Sequence, residues 1–169
     1  MFAPDKYRSV TWLKGGRVYP QLDCFGIVNE IRSDLGLPLW PDFAGVTKDD
    51  GGLDREARRM ILTLERCEPC EGAGVACYSG STVTHVGIVV SIDGLLHVAE
   101  CNPGTNVTFL PLPRFKRRFV RVEFGNDHSF LSFPASRRTT LKRMSMVLRA
   151  FAAGWLPMSK TIPTGMSHR

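Results

Sequence analysis

The chain has 169 residues, of which 43% are apolar, enough for one domain with a hydrophobic core and an appended segment. No apolar run approaches the roughly 20 residues that a membrane-spanning helix needs, which excludes a membrane-spanning protein. The net charge of +6 is uneven, because residues 129–169 hold seven Lys or Arg and no Asp or Glu. This division predicts a compact domain over residues 1–128 and a basic extension over 129–169 that meets an acidic or protein surface.

The start of the chain and its cysteines indicate a reducing compartment. The first residues, MFAPDKYRSVTWLKGG, lack the charged start, apolar core and cleavage site of a secretory signal, so we expect synthesis in the cytoplasm. The chain has five cysteines. An odd number without a secretory signal argues against a disulfide framework. Reduced thiols are therefore expected.

Two helices are predicted in the first half of the chain. After Asp23, a suitable N-cap, apolar side chains recur at helical spacing, and Gly36 with Pro38 forms a suitable stop. The segment LDREARRMILTLERC, residues 53–67, predicts the second helix. The next segment, CEPCEGAGVACYSGS, residues 67–81, is rich in turn residues and predicts a loop.

The second half predicts a sheet followed by one more helix. Four β-branched runs are separated by Gly, Pro, Asn and Asp: TVTHVGIVVS, GLLHVAEC, NVTFLPL and FVRVEF. Helices followed by strands predict an α+β fold, with N-terminal helices packed on a small antiparallel sheet or partial barrel. The segment TTLKRMSMVLRAFAAGW, residues 139–155, predicts an amphipathic basic helix.

Cys24 is a candidate nucleophile because it lies at the predicted start of the first helix. Unpaired N–H groups and the positive end of the helix dipole favour a thiolate there. The alternative is a small buried hydrophobic residue, which is the commoner role of cysteine. A nucleophilic thiolate also needs a nearby imidazole and a group that orients the imidazole. His85 and His97 are candidates because each lies in an otherwise apolar strand.

The turn between these strands decides whether both histidines line one site. A two-residue turn at Asp93 and Gly94 would place His97 opposite Val90, and the two histidines would then face opposite sides. A five-residue loop over residues 90–94 would pair the position of residue 87 with His97. That register would bring His85 within about 7 Å of His97.

Two segments resemble a known family. WLKGGRVYPQLDCFGIV is similar to the nucleophile segment of the NlpC-type cell-wall cysteine peptidases, a papain-like family, and HVGIVVSIDGLLHVAE is similar to the segment that carries the family's base. The resemblance covers roughly residues 7–124. It implies a papain-like fold in which Cys24 is the nucleophile, His85 the general base and His97 the polar residue that orients His85.

The resemblance also implies a function. The family hydrolyses amide bonds in the peptide stems of peptidoglycan, and the form DCFGIVNEIRSDLGLPL is most similar to its bacteriophage tail-assembly branch. A tail-tip protein would dock on other tail-tip proteins through residues 129–169. The alternative is a structural tail protein that keeps the fold without useful hydrolysis. Trp12, where the family often has tyrosine, and GAGVACYSG before the base favour that alternative.

Other motifs suggest further kinds of site. Cys67 and Cys70, with Cys77 and Cys101, supply four thiols of the kind that hold zinc or an iron–sulfur cluster, although the last two do not form a second CxxC pair. Thiol catalysis needs no cofactor, and none is expected. FKRRFVR, residues 115–121, places cations between aromatic residues as nucleic-acid surfaces do. We interpret it instead as a charged strand edge and expect no nucleic-acid partner.

Overall fold

The computed structural model describes residues 2–127. The predicted extension over residues 129–169 and its amphipathic helix lie outside the described residues. Among the described residues, α-helices extend over three ranges: α1, Cys24–Asp34; α2, Gly52–Thr63; α3, Leu112–Lys116, and a 3-10 helix extends over Pro4–Ser9. Strands extend over these ranges: β1, Thr11–Trp12; β2, Arg17–Val18; β3, Gln21–Leu22; β4, Glu65–Arg66; β5, Gly74–Ser79; β6, Thr82–Ile92; β7, Leu95–Asn102; β8, Asn106–Pro111; β9, Arg121–Asn126.

The main sheet has the strand order β4-β9-β5-β6-β7-β8, and its neighbouring strands pair antiparallel. A smaller sheet joins β1, β3 and β2. Helix α1 packs on β6 and β7, and α2 packs on β6. The predicted α+β class is therefore confirmed, with helices against an antiparallel sheet. Within residues 2–127, no helix is long and apolar enough to cross a membrane.

The helix predicted from Asp23 is confirmed as α1. The Asp23 carboxylate accepts hydrogen bonds from the backbone N–H groups of Phe25 at 2.9 Å and Gly26 at 3.0 Å, which satisfies donors that a helix start leaves open. The helix then buries Ile27 and Ile31 completely. The fold thus places Cys24 at the first helical position, directly behind a capping carboxylate.

Glycine lets α1 start close to the small sheet. A Cβ on Gly26 would overlap the carbonyl oxygen of Gly16, and a Cβ on Gly16 would press on the backbone of Gln21. A residue with a side chain therefore fits at neither position unless the backbone moves. The pair therefore fixes the distance between the first turn of α1 and the segment before β2.

The loop predicted over residues 67–81 is partly wrong, because Gly74–Ser79 forms strand β5 in the middle of the sheet. Val75 and Cys77 pack in one apolar cluster, and Ala76 and Tyr78 pack in another. A strand buried on both faces has no polar alternation. Its small side chains therefore gave no strand pattern.

The β6–β7 hairpin has the two-residue turn. Ile92 pairs with Leu95, and Asp93 and Gly94 both have positive φ, 51° and 77°. Two central residues with positive φ are the requirement of a type I′ turn, which suits the twist of the strands. The five-residue loop over 90–94 is therefore wrong.

Candidate active site

Cys24 is buried at the start of α1. Its side chain is 3% exposed, and its sulfur accepts a hydrogen bond from the backbone N–H of Val86 in β6. Burial first, and then the charge of Asp23, raise the pKa of the Cys24 thiol to about 11. The expected preference for a thiolate is therefore wrong for this state of the protein, in which Cys24 is a thiol.

A cleft of about 160 Å³ lies over Cys24. Trp12 and Lys14, from β1 and the turn after it, line one part. Thr47 and Lys48, from the loop before α2, line another. Cys24 is itself part of the lining of this cleft.

The loop that carries Lys48 is tied to the start of α1 by Arg17. The Arg17 guanidinium donates to the backbone oxygens of Asp42 at 2.6 Å and Val46 at 3.2 Å. It also forms an ion pair with Asp23. One side chain thus positions the loop and neutralises the carboxylate beside Cys24.

His85 lies in β6, 4% exposed, with a partner on each ring nitrogen. Nε2 is 2.9 Å from Oε2 of Glu100, and Nδ1 is 3.4 Å from Nζ of Lys48. A carboxylate only accepts and an ammonium only donates, so these partners assign the proton to Nε2 and leave a lone pair on Nδ1. Burial is the main cause that lowers the pKa of His85, so the ring is neutral at pH 7.

Glu100 is 1% exposed and belongs to a chain of hydrogen bonds. Its Oε1 accepts from Thr108 Oγ1 at 3.2 Å and from the Arg118 guanidinium. Burial alone would raise the pKa of Glu100, but the hydrogen bonds from His85 and Arg118 outweigh it and lower this pKa to about 2. Glu100 is therefore ionised at neutral pH.

His97 does not orient His85, and the assignment of that role to His97 is wrong. The two-residue turn pairs His97 with Val90, five residues or about 17 Å along β6 from His85. The His97 ring donates instead to the backbone oxygen of Leu95 at 3.0 Å. Because Ile88 pairs with Ala99 in the same register, Glu100 is the residue that shares a face with His85.

Sequence reasoning therefore missed two side chains of this site. Glu100 had a signal, since it is the one acidic residue in an apolar strand and the Asp93–Gly94 turn places it next to His85. Lys48 had none, because it lies in a loop whose path depends on contacts with Arg17 that are distant in sequence.

The four cysteines that the sequence offered as alternative metal ligands do not come together. Cys77 packs in the apolar cluster with Phe115, whereas Cys101 packs in the other cluster and donates to the backbone oxygen of Leu22 at 3.3 Å. Cys67 and Cys70 do contact each other. Among residues 2–127, no group of three or more His, Cys, Asp or Glu side chains is placed to hold a metal ion.

The site joins His85 to Glu100 directly and to Cys24 through the backbone of Val86 and the charge of Lys48. The Cys24 sulfur contacts the backbone of Val86, the residue after His85, and the charge of Lys48 acts on both Cys24 and His85. The ring lone pair on Nδ1 is suited to accept a thiol proton.

In comparisons with known proteins, no family model matches the chain and no curated protein matches it.

Proposed function

We propose that residues 2–127 form a papain-like cysteine peptidase domain of the NlpC type, with Cys24 as nucleophile and His85 as general base. The observation that supports the proposal is the buried pair of His85 and Glu100, because Val86, the residue after His85, contacts the Cys24 sulfur at the start of α1 through its backbone. Glu100 takes the orienting role that the resemblance gives to His97.

The proposed reaction is hydrolysis of an amide. The Cys24 proton moves to Nδ1 of His85, the sulfur attacks the carbonyl carbon, and the imidazolium protonates the leaving amine, which leaves a thioester on Cys24. A water then gives a proton to Nδ1 and attacks the thioester carbon, the carbon–sulfur bond breaks, and the proton returns from Nδ1 to the sulfur as the acid is released. The backbone N–H of Cys24, at the first helical position, has no acceptor within its own helix. It is the donor that we assign to the oxyanion of the tetrahedral intermediate.

The substrate class and location rest on the two quoted motifs. They support a peptidoglycan stem peptide as the substrate and a place in a bacteriophage tail tip, reached from the host cytoplasm. Residues 129–169, with their seven cations, are then the element that docks on neighbouring tail proteins.

The test is release of stem-peptide fragments from purified peptidoglycan, measured by mass spectrometry. We expect release by the full chain and none by Cys24→Ala or His85→Ala. His97→Ala is the matched control, because it removes a strand histidine that does not contact the site. Equal release by Cys24→Ala and the full chain would show that the thiol is not the nucleophile.

The burial of Cys24 and the raised pKa of its thiol favour a second function, a structural tail protein with the peptidase fold. In that case the full chain would release no fragments from walls of several types. Cys24→Ala would still be incorporated into tails at the normal level. Fragment release that depends on Cys24 would exclude this second function.

A further inference from the structure

Lys48 occupies the ring nitrogen that the proposed reaction needs. Its ammonium lies 3.4 Å from Nδ1 of His85, and the other nitrogen is committed to Glu100. A neutral imidazole has one lone pair, so it cannot accept a hydrogen bond from Lys48 and a proton from Cys24 at once.

The surroundings of Lys48 distinguish it from the other lysine of the cleft. Lys14 forms an ion pair with Asp49, whereas the hydrogen-bond partner that the structure assigns to the Lys48 ammonium is a neutral ring. Lys48 is also an exposed residue on a loop. It can therefore leave His85 without unpacking the core.

The charge of Lys48 does not by itself decide the effect on proton transfer. Near Cys24 this charge lowers the pKa of the thiol, and near His85 it lowers the pKa of the imidazolium. The first effect favours the thiolate–imidazolium pair and the second opposes it. Because these two effects of the charge oppose each other, the effect of Lys48 on proton transfer depends on its hydrogen bond to Nδ1 of His85.

We propose that Lys48 is an autoinhibitory gate on His85: it holds the Nδ1 lone pair and keeps Cys24 as a thiol until its side chain moves away. When Lys48 leaves, the S–H bond of Cys24 breaks, an N–H bond forms on Nδ1, and a thiolate faces an imidazolium. This inference rests on the proposed roles of Cys24 and His85.

The test is the rate at which iodoacetamide alkylates Cys24 near pH 7, followed by mass mapping of the full chain. Lys48→Met keeps the length of the side chain and removes the hydrogen-bond donor. We expect Cys24 to be alkylated about fivefold faster in this variant, because that ratio corresponds to the loss of one hydrogen bond of ordinary net strength. Lys14→Met is the comparison variant, since it removes a cation from the same cleft without touching His85, and an increase as large as that of Lys48→Met would show that cleft charge and not the hydrogen bond to His85 controls the rate. An equal or slower rate for Lys48→Met would overturn the gate.

A second comparison separates the gate from simple uncovering of Cys24. In a His85→Ala background, Lys48→Met should not speed alkylation, because no ring remains to be released, and the loss of a charge that lowers the pKa of the Cys24 thiol should slow it. Faster alkylation in that background would show that Lys48 only shields the sulfur, and the gate would be wrong. Alkylation needs no turnover, so a confirmed gate without fragment release even by Lys48→Met would reject the proposed function alone. Fragment release without an effect of Lys48→Met on alkylation would reject the gate alone.

Discussion

Oε2 of Glu100 lies 2.9 Å from Nε2 of His85, and both side chains are almost completely buried. This contact fixes the ring plane and the tautomer of His85, because the carboxylate accepts the Nε2 proton. The lone pair on Nδ1 then points toward the part of the structure where Lys48 lies. Two adjacent strands thus determine which ring nitrogen carries the proton and which carries the lone pair.

We expect Glu100→Gln to reduce the turnover number for stem-peptide release by about a hundredfold, the lower range of general-base effects, with little change in KM. The amide keeps the size of the carboxylate but loses the charge that stabilises an imidazolium. Steady-state kinetics measures the change. His97→Ala, on the same strand, should keep its turnover number, and an equal loss in both variants would contradict the role of Glu100.

The stability of the fold should depend on Glu100 in acid. The folded pKa of about 2 lies below the ordinary value of 4.5, so the stabilisation is complete above about pH 5 and is lost as the pH falls toward 2. A shift of this size means that ionised Glu100 contributes on the order of 3 kcal/mol to the free energy of unfolding. Urea unfolding at several pH values should show wild type and Glu100→Gln far apart at pH 6 and closer at pH 3. A constant difference would mean that Glu100 is not ionised in the fold.

Gly26→Ala should lower the free energy of unfolding by about 2 kcal/mol, because the new methyl group overlaps the carbonyl oxygen of Gly16. The first turn of α1 must then move, and Cys24 moves with it. Urea unfolding and the rate of Cys24 alkylation measure the two effects. Ser33→Ala, near the other end of α1, is the control, and a Gly26→Ala variant as stable as this control would show that the backbones do not lie so close.

The turn between β6 and β7 gives a prediction about backbone conformation alone. Gly94 has a φ of 77° with open space around its Cα, so Gly94→Ala should cost about 1 kcal/mol through strain in the left-handed region. Gly94→Asn should cost less, since asparagine adopts that region more readily. Thermal or urea unfolding of the two variants tests the order. The reverse order would indicate a different turn.

The elements that could be predicted from sequence are those with local causes. Helix α1 has its cap and its apolar spacing within twelve residues, so Asp23 and Ile27 indicate it without tertiary information. Strand β5 could not be recognised, because both of its faces are buried and its residues are small. The same limit applies to the order of strands in the sheet, which depends on pairing over long distances.

For the candidate site, Cys24 and His85 could be selected by residue type and motif, whereas their third partner depended on register. The turn at Asp93 and Gly94 is a strong hairpin signal, but the prediction favoured the loop that brought two histidines together. The type I′ turn instead aligns His85 with a glutamate. Register is a property of the paired strands, and one residue more or less in the loop changes which side chain reaches the ring.

A residue beyond the last strand supplies the counter-charge of a buried arginine in α1. The Arg32 guanidinium, completely buried in α1, donates to the backbone oxygens of Pro38 and Gly72 and pairs with the carboxylate of Asp127. The Trp40 indole donates to the same carboxylate at 3.0 Å. A fragment that stops at residue 126 keeps all of β9, yet it leaves a buried cation without its counter-charge, at a cost of about 3–5 kcal/mol.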